Sequence, residues 1–377
     1  MHYLDNAATT RVADDVADVA AAVLRQHFAN PSSLYAPGAR AEAVIREARA
    51  VVADSLGVKT GEVLFTGSGT EGDNIAIQGA LQARRAWGEH IVVTGFEHPA
   101  VQNTVSAMER AGWRVTVVPP DGAGHVDLAK LVRAVGTKTA LVACMHVNNE
   151  VGTVQDVAWL AREVKLKNSR TAVHVDGVQA WGKVPMKLSS TQIDSYAVSG
   201  HKIHAPKGVG ALYLRRGFHT QPLLYGGLQE GGMRPGTENT PYIAALAKAV
   251  QLMQADKGAR GRIRALNELL WQELAGIEGI TRNSPPDALP DIANFSVAGV
   301  KSETLLHFLE ARDVYVSSGS ACSKGASSHT LAAMGLPASR VDGAIRVSFS
   351  GESTSEDVRA LAQGLREGMA SLAKIKP

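Results

Sequence analysis

Short runs of β-branched and other apolar residues alternate with helical stretches through the middle of the chain. The runs occupy residues 62–66, 90–94, 114–118, 139–147, 171–175, 193–198 and 209–214. This alternation is typical of a doubly wound α/β sheet that carries helices on its faces. Ligands of such sheets bind where the carboxyl ends of the strands meet. We therefore expect the functional residues to follow the strands directly.

Helical periodicity dominates the two ends of the chain. Apolar residues recur at helical spacing from Val12 to Val23, and a stronger pattern from Ala39 to Leu56 ends at Gly57. Later segments predict a helix over 241–275, a strand over 292–297, a helix over 303–312 and a strand over 344–350. We expect a large α/β domain of residues 15–250, and a smaller α+β domain that combines residues 1–14 with residues 251–377.

Composition excludes several classes of protein. The chain has 377 residues, 45% of them hydrophobic, and a net charge of +3 that is dispersed rather than gathered into a basic stripe. It therefore predicts a globular protein that binds no nucleic acid directly, in which basic pairs such as Arg84-Arg85 lie on solvated faces. No apolar run reaches the length of a membrane span and no leader pattern is visible, so we expect a cytoplasmic protein.

The sequence contains two cysteines, which excludes a disulfide scaffold and a thiolate zinc site, and no other metal-ligand spacing is visible. Cys144 lies in the apolar run 140–145 and is expected to be a buried core residue. Cys322 lies among serine, alanine and glycine in residues 317–328, a stretch too small and polar to form a packed element. We interpret this stretch as a mobile loop that presents a thiol.

Lys202 follows the predicted strand 193–198 within the segment Ser-Gly-His-Lys. Nearby cations and partial burial favour a neutral lysine amine, which can form a Schiff base with an aldehyde such as pyridoxal phosphate. Taken alone, the segment is more typical of a solvated basic turn, since lysines in loops rich in glycine and proline are usually surface charges. The other strand ends therefore decide its interpretation.

The glycines at positions 67, 69 and 72 match G-x-G-x-x-G and raise the possibility of dinucleotide binding. The match fails in context, because the acidic residue that should bind the ribose, about 20 residues further on, is missing. Amides at a helix N-terminus, together with the Thr70 hydroxyl, instead predict a site for a single phosphate.

Other strand ends also carry polar residues. His98 could stack on a flat ring or move protons, and the neighbouring amides at 148 and 149 could hold a carboxylate or a phenolic oxygen. Asp176 could pair with a pyridinium nitrogen. Arg346 alternates with apolar residues and could bind a carboxylate through two hydrogen bonds. The glycine-rich segment 226–239 is expected to be a functional loop or to reach a partner subunit.

Several segments of the chain resemble the cysteine desulfurases of the NifS/IscS type, within the class V aminotransferases. The matching segments are Tyr-Leu-Asp-Asn-Ala-Ala-Thr-Thr at 3–10, Asn-Pro-Ser-Ser at 30–33, His-Val-Asp at 174–176, Ser-Gly-His-Lys at 199–202, Arg-Pro-Gly-Thr at 234–237 and Ser-Ser-Gly-Ser-Ala-Cys at 317–322. The resemblance implies a homodimeric fold-type I enzyme that uses pyridoxal phosphate. It also implies the reaction, in which L-cysteine gives L-alanine and a persulfide on Cys322.

The resemblance further implies roles for individual residues. Lys202 would bind the cofactor and move protons, His98 would stack on its ring, Asp176 would pair with its nitrogen and Gln179 would contact its phenolic oxygen. The phosphate would lie against Gly69, Thr70, Ser199 and His201 of one subunit and Thr237 of the other. Asn149 and Arg346 would hold the substrate carboxylate, and Cys322 would attack the substrate sulfur.

The loop after Cys322 lacks the Leu-Glu-Pro stretch of many housekeeping members. This difference argues against an iron-sulfur scaffold as the sulfur acceptor and leaves room for a tRNA or thiazole sulfurtransferase, and both acceptor classes stay open. Alternatives within the fold are a selenocysteine lyase and an aminotransferase. Alternatives from other functional classes are a nicotinamide dehydrogenase and a non-catalytic sulfur-carrier or scaffold-binding module.

Overall fold

The computed structural model describes residues 1–318 and 328–372. The strands are β1 (His2–Tyr3), β2 (Val63–Thr66), β3 (His90–Thr94), β4 (Arg114–Val118), β5 (Thr139–Ala143), β6 (Ala172–Asp176), β7 (Ser195–Ser199), β8 (Gly210–Leu214), β9 (Ile280–Arg282), β10 (Ile292–Val297), β11 (Val314–Tyr315), β12 (Ser317–Ser318) and β13 (Ala344–Ser348). The helices are α1 (Asp14–Gln26), α2 (Ala36–Leu56), α3 (Gly69–Arg84), α4 (Pro99–Arg110), α5 (Leu128–Ala134), α6 (Val157–Lys167), α7 (Thr240–Ala255), α8 (Ala259–Ala275), α9 (Ser302–Glu310), α10 (His329–Ala333), α11 (Ala338–Asp342) and α12 (Ser355–Ser371). In these two ranges no helix is both long and apolar enough to cross a bilayer.

A mixed sheet forms the centre of the larger part of the molecule. Its strand order is β2-β8-β7-β6-β5-β3-β4, and every pair from β7 to β4 is parallel, whereas β8 is antiparallel to both of its neighbours. The strands β3, β5, β6 and β7 therefore end at the same edge, and β2, on the far side of β8, ends there too. The predicted doubly wound α/β sheet is confirmed.

The sheet is largely buried because most of its strands are apolar runs covered by helices, whereas the edge strand β4 is partly exposed. One core cluster contains buried residues from Val16 to Val250, and a second combines Leu4 with residues from Ile263 to Leu365. These clusters support our proposed division into residues 15–250 and residues 1–14 plus 251–377.

The N-terminal segment joins the smaller sheet and then crosses to the larger one. β1 pairs with β11 in parallel, and the backbone amide of Ser348 in β13 donates to Leu4 at 2.7 Å. Beyond this point the amide of Thr10 donates to the carbonyl oxygen of His201 at 2.9 Å. Residues 5–10 therefore lie against the edge where the strands of the large sheet end. Packing of the N-terminus with the C-terminal part is as expected.

Three details differ from the sequence predictions. The single helix predicted over 241–275 is two helices, since α7 ends at Ala255 and α8 begins at Ala259 after a turn. The strand predicted over 139–147 ends as β5 at Ala143. Arg84 is buried rather than solvated, and its guanidinium donates to the carbonyl oxygen of His219 at 2.9 Å.

Candidate active site

Lys202 lies in a short 3₁₀ turn directly after β7, at the common edge of the strand ends. Its side chain is half-buried, and its Nζ donates to the carbonyl oxygens of Ala7 and Ala8 at 2.5 and 2.7 Å. The N-terminal segment therefore positions the amine over the sheet edge. His204, two residues further on, has a φ of 66°, which turns the chain back toward β8.

His98 caps the N-terminus of α4, and its Nδ1 accepts a hydrogen bond from the amide of Ala100 at 3.1 Å. An accepting Nδ1 cannot carry the proton, so neutral His98 holds its proton on Nε2. Burial lowers the pKa of His98, the charge of Asp176 opposes this, and the charge of Lys202 adds to it. The imidazole is therefore neutral near pH 7 and lies within electrostatic reach of both residues.

Asp176 is the last residue of β6 and is 5% exposed. Its Oδ1 accepts a hydrogen bond from the amide of Val178 at 2.9 Å, which fixes the carboxyl group at the start of the following turn. Burial raises the pKa of Asp176, while the nearby His98, the hydrogen bond from Val178 and the charge of Lys202 lower it. A cation placed against this carboxylate would favour its ionised form further.

A second set of buried polar groups lies behind Asp176, and sequence reasoning missed it. His174 in β6 contacts Asp73 of α3 through Nε2 at 3.1 Å and Ser195 of β7 through Nδ1 at 2.9 Å. Burial lowers the pKa of His174 to about 3, so this ring is neutral. Burial, and next the charge of Asp176, raise the pKa of Asp73. These residues fix β6, β7 and α3 relative to one another beneath the site.

Glu97, which precedes His98, is also buried beside Asp176. Its Oε1 accepts hydrogen bonds from the Thr94 hydroxyl and from the amide of Met145 at 2.7 Å. Its Oε2 is buried and has no hydrogen-bond partner among the described residues. Burial raises the pKa of Glu97 to about 8, so its carboxyl group is mostly protonated at neutral pH. The only sequence signal for it was its place next to His98.

The glycine loop between β2 and α3 forms the predicted helix N-terminus. Ser68 is the N-cap, and its hydroxyl accepts from the amide of Glu71 at 3.1 Å. Gly69 and Thr70 follow in the first turn, where amides lack intrahelical acceptors. A Cβ at Gly69 would lie 2.5 Å from Val178 Cγ2 and 3.4 Å from Ser199 Cβ. The close approach places the helix N-terminus beside the end of β7, as an anion site requires.

His201 directly precedes Lys202 in the turn after β7. Its Nδ1 is 3.2 Å from the Thr9 hydroxyl. Burial and the nearby charge of Lys202 lower the pKa of His201 to about 4, so the ring is neutral. A neutral imidazole can donate one hydrogen bond to an anion without bringing a second positive charge next to Lys202.

Arg346 in β13 is 1% exposed, which is exceptional for an arginine. Its guanidinium donates to Asp5 Oδ1 at 2.8 Å and to the carbonyl oxygen of Asn149 at 3.0 Å. Its Nε is buried without a hydrogen-bond partner in the ranges that the structure describes. A buried guanidinium with an unused donor fits the predicted binding of a carboxylate, and it brings Asn149 into the same place.

For three of the predicted site residues, the structure gives less direct support for the predicted role or does not describe the residue. Gln179 is buried at the site, but its Nε2 donates to the carbonyl oxygen of Ala7 at 2.9 Å. Thr237 is exposed, in a loop that an ion pair of 2.7 Å between Arg234 and Glu71 joins to α3. Cys322 lies outside the described residues. Cys144 is fully buried, and burial raises its thiol pKa, as expected for a core cysteine.

The site has the kinds of groups that a site for pyridoxal phosphate requires. It combines an amine at one strand end with a buried carboxyl group at the next, a neutral histidine within electrostatic reach of both and a helix N-terminus close by. The amides at the N-terminus of α3 and the unused donor of Arg346 are suited to hold a phosphate and a carboxylate, respectively. Fold and site together define the class of fold-type I enzymes that depend on pyridoxal phosphate.

Comparison with known proteins places the chain within this class. Residues 2–361 match the model of the aminotransferase class-V family. The chain is 40% identical over 379 residues to cysteine desulfurase 2 of Trichormus variabilis, covering 100% of the chain and 94% of that relative. It is 37% identical over 379 residues to the cysteine desulfurase IscS of Methanosarcina thermophila, covering 100% of the chain and 93% of that protein.

A solved structure of a NifS-like protein superposes with a TM-score of 0.93 at 35% identity, covering 98% of this chain and 99% of the other. The structure of SspA in complex with cysteine gives a TM-score of 0.83 at 31% identity, covering 94% of this chain and 100% of that one. The chain belongs to the cysteine desulfurases of the aminotransferase class-V family.

Proposed function

We propose that Lys202 binds pyridoxal phosphate and that the enzyme converts L-cysteine to L-alanine and a persulfide on Cys322. The observation that carries this proposal is the meeting of Lys202, Asp176 and His98 at the carboxyl ends of three parallel strands. Each residue comes from a different strand end, so the convergence depends on the fold rather than on one loop. Both His98 and Lys202 lie close enough to Asp176 to lower its pKa.

The bound cofactor would supply an electron sink for the α-carbon of the substrate. Asp176 would pair with the ring nitrogen, whose positive charge would favour the ionised form of the carboxyl group. His98 would lie on the ring with its proton on Nε2. Lys202, released from its bond to the cofactor, would accept a proton from the α-carbon and return protons to the three-carbon fragment. Gly69, Thr70, Ser199 and His201 would hold the phosphate, and Gln179 the phenolic oxygen.

The substrate carboxylate would bind Arg346 and Asn149, which would keep the substrate sulfur on the open side of the site. The Cys322 thiolate would attack that sulfur, the carbon–sulfur bond would break, and protons would complete L-alanine. We further propose a cytoplasmic homodimer in which the exposed Thr237 reaches the partner's phosphate. The persulfide would pass to an iron-sulfur scaffold or to a tRNA or thiazole sulfurtransferase.

The test combines a spectrum with a product assay. The purified protein should absorb visible light, its band should shift with L-cysteine and a reductant, and sulfide and alanine should form in equal amounts. Lys202→Ala should lose the absorbance of the covalently bound cofactor. Cys322→Ala should keep that absorbance and lose turnover of cysteine. Full turnover in Cys322→Ala would refute the persulfide step and favour an aminotransferase or a selenocysteine lyase.

The choice of acceptor needs a separate experiment, because both acceptor classes receive the same persulfide. Radiolabelled sulfur from cysteine should be followed onto a purified iron-sulfur scaffold protein and onto a tRNA-thiolating enzyme under identical conditions. Transfer to one and not the other assigns the acceptor. Transfer to neither, with persulfide formed on Cys322, would refute both proposed acceptors while leaving the desulfuration intact.

A further inference from the structure

A cavity of about 830 Å³ lies beside the active site, between the two parts of the molecule. Its walls come from the segment after β6, from α7 and α8, and from residues 349–352 after β13. Lys202 lines it, together with Asn6 and Thr10 of the N-terminal segment. The residues assigned above to the phosphate, the ring and the substrate carboxylate do not line it. The cavity is thus a second space, separated from the cofactor site by the N-terminal segment and the stem of Lys202.

The acidic side chains of this cavity are all bound to arginines. Asp291 holds Arg260 through two hydrogen bonds of 2.5 and 2.8 Å. Asp256 forms an ion pair with Arg262 at 2.5 Å, and Glu352 forms one with Arg11 at 3.4 Å. The negative charge of the lining is therefore already compensated by cations that belong to the protein.

Two lysines of the lining have no such partner. In the described part of the chain, no carboxylate forms an ion pair with Lys183 or Lys257. The ammonium of Lys183 is half-buried and donates one hydrogen bond of 3.3 Å to Gln179 Oε1, out of the three that it can make. Burial lowers the pKa of Lys183, and the charge of Asp291 only partly offsets this. An anion would supply the missing partner.

Apolar side chains make up much of the remaining lining. Trp181, Met186, Leu252, Met253 and Phe349 contribute side chains to the walls. Cavities of this volume that combine apolar walls with a few polar groups are typical of small-molecule sites. We propose that this cavity binds a small organic carboxylate, whose charged end pairs with Lys183 and whose apolar body lies against Trp181 and the two methionines.

The proposed site is joined to the reactive lysine by a short chain of hydrogen bonds. Lys183 donates to Gln179 Oε1, Gln179 Nε2 donates to the carbonyl oxygen of Ala7 at 2.9 Å, and Lys202 Nζ donates to the same oxygen. A carboxylate bound to Lys183 therefore acts on the partner that positions Lys202. Binding of a carboxylate at Lys183 would not require that the enzyme carry out the proposed reaction.

The test is calorimetric titration of the protein, loaded with pyridoxal phosphate, with 3-phenylpropanoate and with its neutral amide, 3-phenylpropanamide. We expect the carboxylate to bind at least about tenfold more tightly than the amide, because one charge-assisted hydrogen bond distinguishes them. Lys183→Met should lose this preference, and Lys183→Arg should keep it. Lys130→Met, which removes an exposed lysine far from the cavity, is the matched control and should bind as the wild type does.

Two results would overturn the proposal. In the first, carboxylate and amide bind equally or Lys183→Met binds like the wild type. In the second, Arg346→Met abolishes binding while Lys183→Met retains it, which would assign the carboxylate to the substrate site. Trp181→Phe provides a second readout, since ligand-induced quenching of tryptophan fluorescence should disappear in this variant. Quenching that persists in Trp181→Phe would place the ligand elsewhere.

Discussion

The protonation of Glu97 can be tested through the pH dependence of stability. The carboxyl group is buried, and its pKa rises from 4.5 to about 8 on folding. The folded protein then keeps a proton that the unfolded chain has released. Stability is therefore lost as the pH rises from the unfolded pKa toward the folded one. Between about pH 5.5 and pH 8 this linkage amounts to about 3 kcal/mol in the free energy of unfolding.

Glu97→Gln mimics the protonated acid. The amide retains an oxygen that can accept from the Thr94 hydroxyl and from the amide of Met145, and it does not titrate. The difference in unfolding free energy between variant and wild type should therefore shift in favour of the variant by about 3 kcal/mol from about pH 5.5 to pH 8. Urea unfolding at a series of pH values measures this difference. The other titrating groups contribute equally to variant and wild type, so their contributions cancel in the difference.

Glu89→Gln is the matched control, because Glu89 is exposed and directly precedes β3, the strand that Glu97 follows. Its difference from the wild type should vary little over this pH range. A Glu97→Gln difference that is also constant with pH would refute the reasoning, since Glu97 would then be ionised in the folded protein. The negative charge beside Asp176 would be larger than we infer.

Three further substitutions test other parts of the site. Gly177→Ala would push a Cβ into the buried tyrosine ring behind it and should lower the unfolding free energy by about 1–3 kcal/mol, whereas Gly136→Ala, whose Cβ meets nothing within 4 Å, should change urea unfolding little. Arg346→Lys should raise the KM for L-cysteine by about tenfold or more in steady-state kinetics, and the exposed Arg359→Lys should not. Asp176→Asn should lower kcat by about 100-fold and alter the visible spectrum; an unchanged spectrum and rate would contradict its pairing with the cofactor.

The sequence predicted the strands of the large sheet well because most of them are buried runs of apolar residues. Such runs have a clear composition and end where polar residues begin, so the positions of His98 and Asp176 at strand ends followed directly. The turn between α7 and α8 was missed because helical residues flank it on both sides. The strands β1, β11 and β12 each contain two residues. Segments so short have no periodicity that a sequence could reveal, and their pairing depends on the tertiary fold.

The buried polar groups behind Asp176 could not be predicted, for a different reason. His174 and Asp73 are 101 positions apart, and Glu97 and Met145 are 48 apart. From the sequence alone, His174 in its apolar run is indistinguishable from an ordinary core residue. Only the fold shows that Asp73 lies against it. Burial in this arrangement raises the pKa of Asp73 and of Glu97, which limits the negative charge that surrounds Asp176. A lone buried carboxylate pairs more readily with a cationic ring than one of several would, because like charges oppose its ionisation. Asp73 and Glu97, whose roles the sequence could not reveal, therefore set the electrostatic conditions for Asp176, which the sequence did predict.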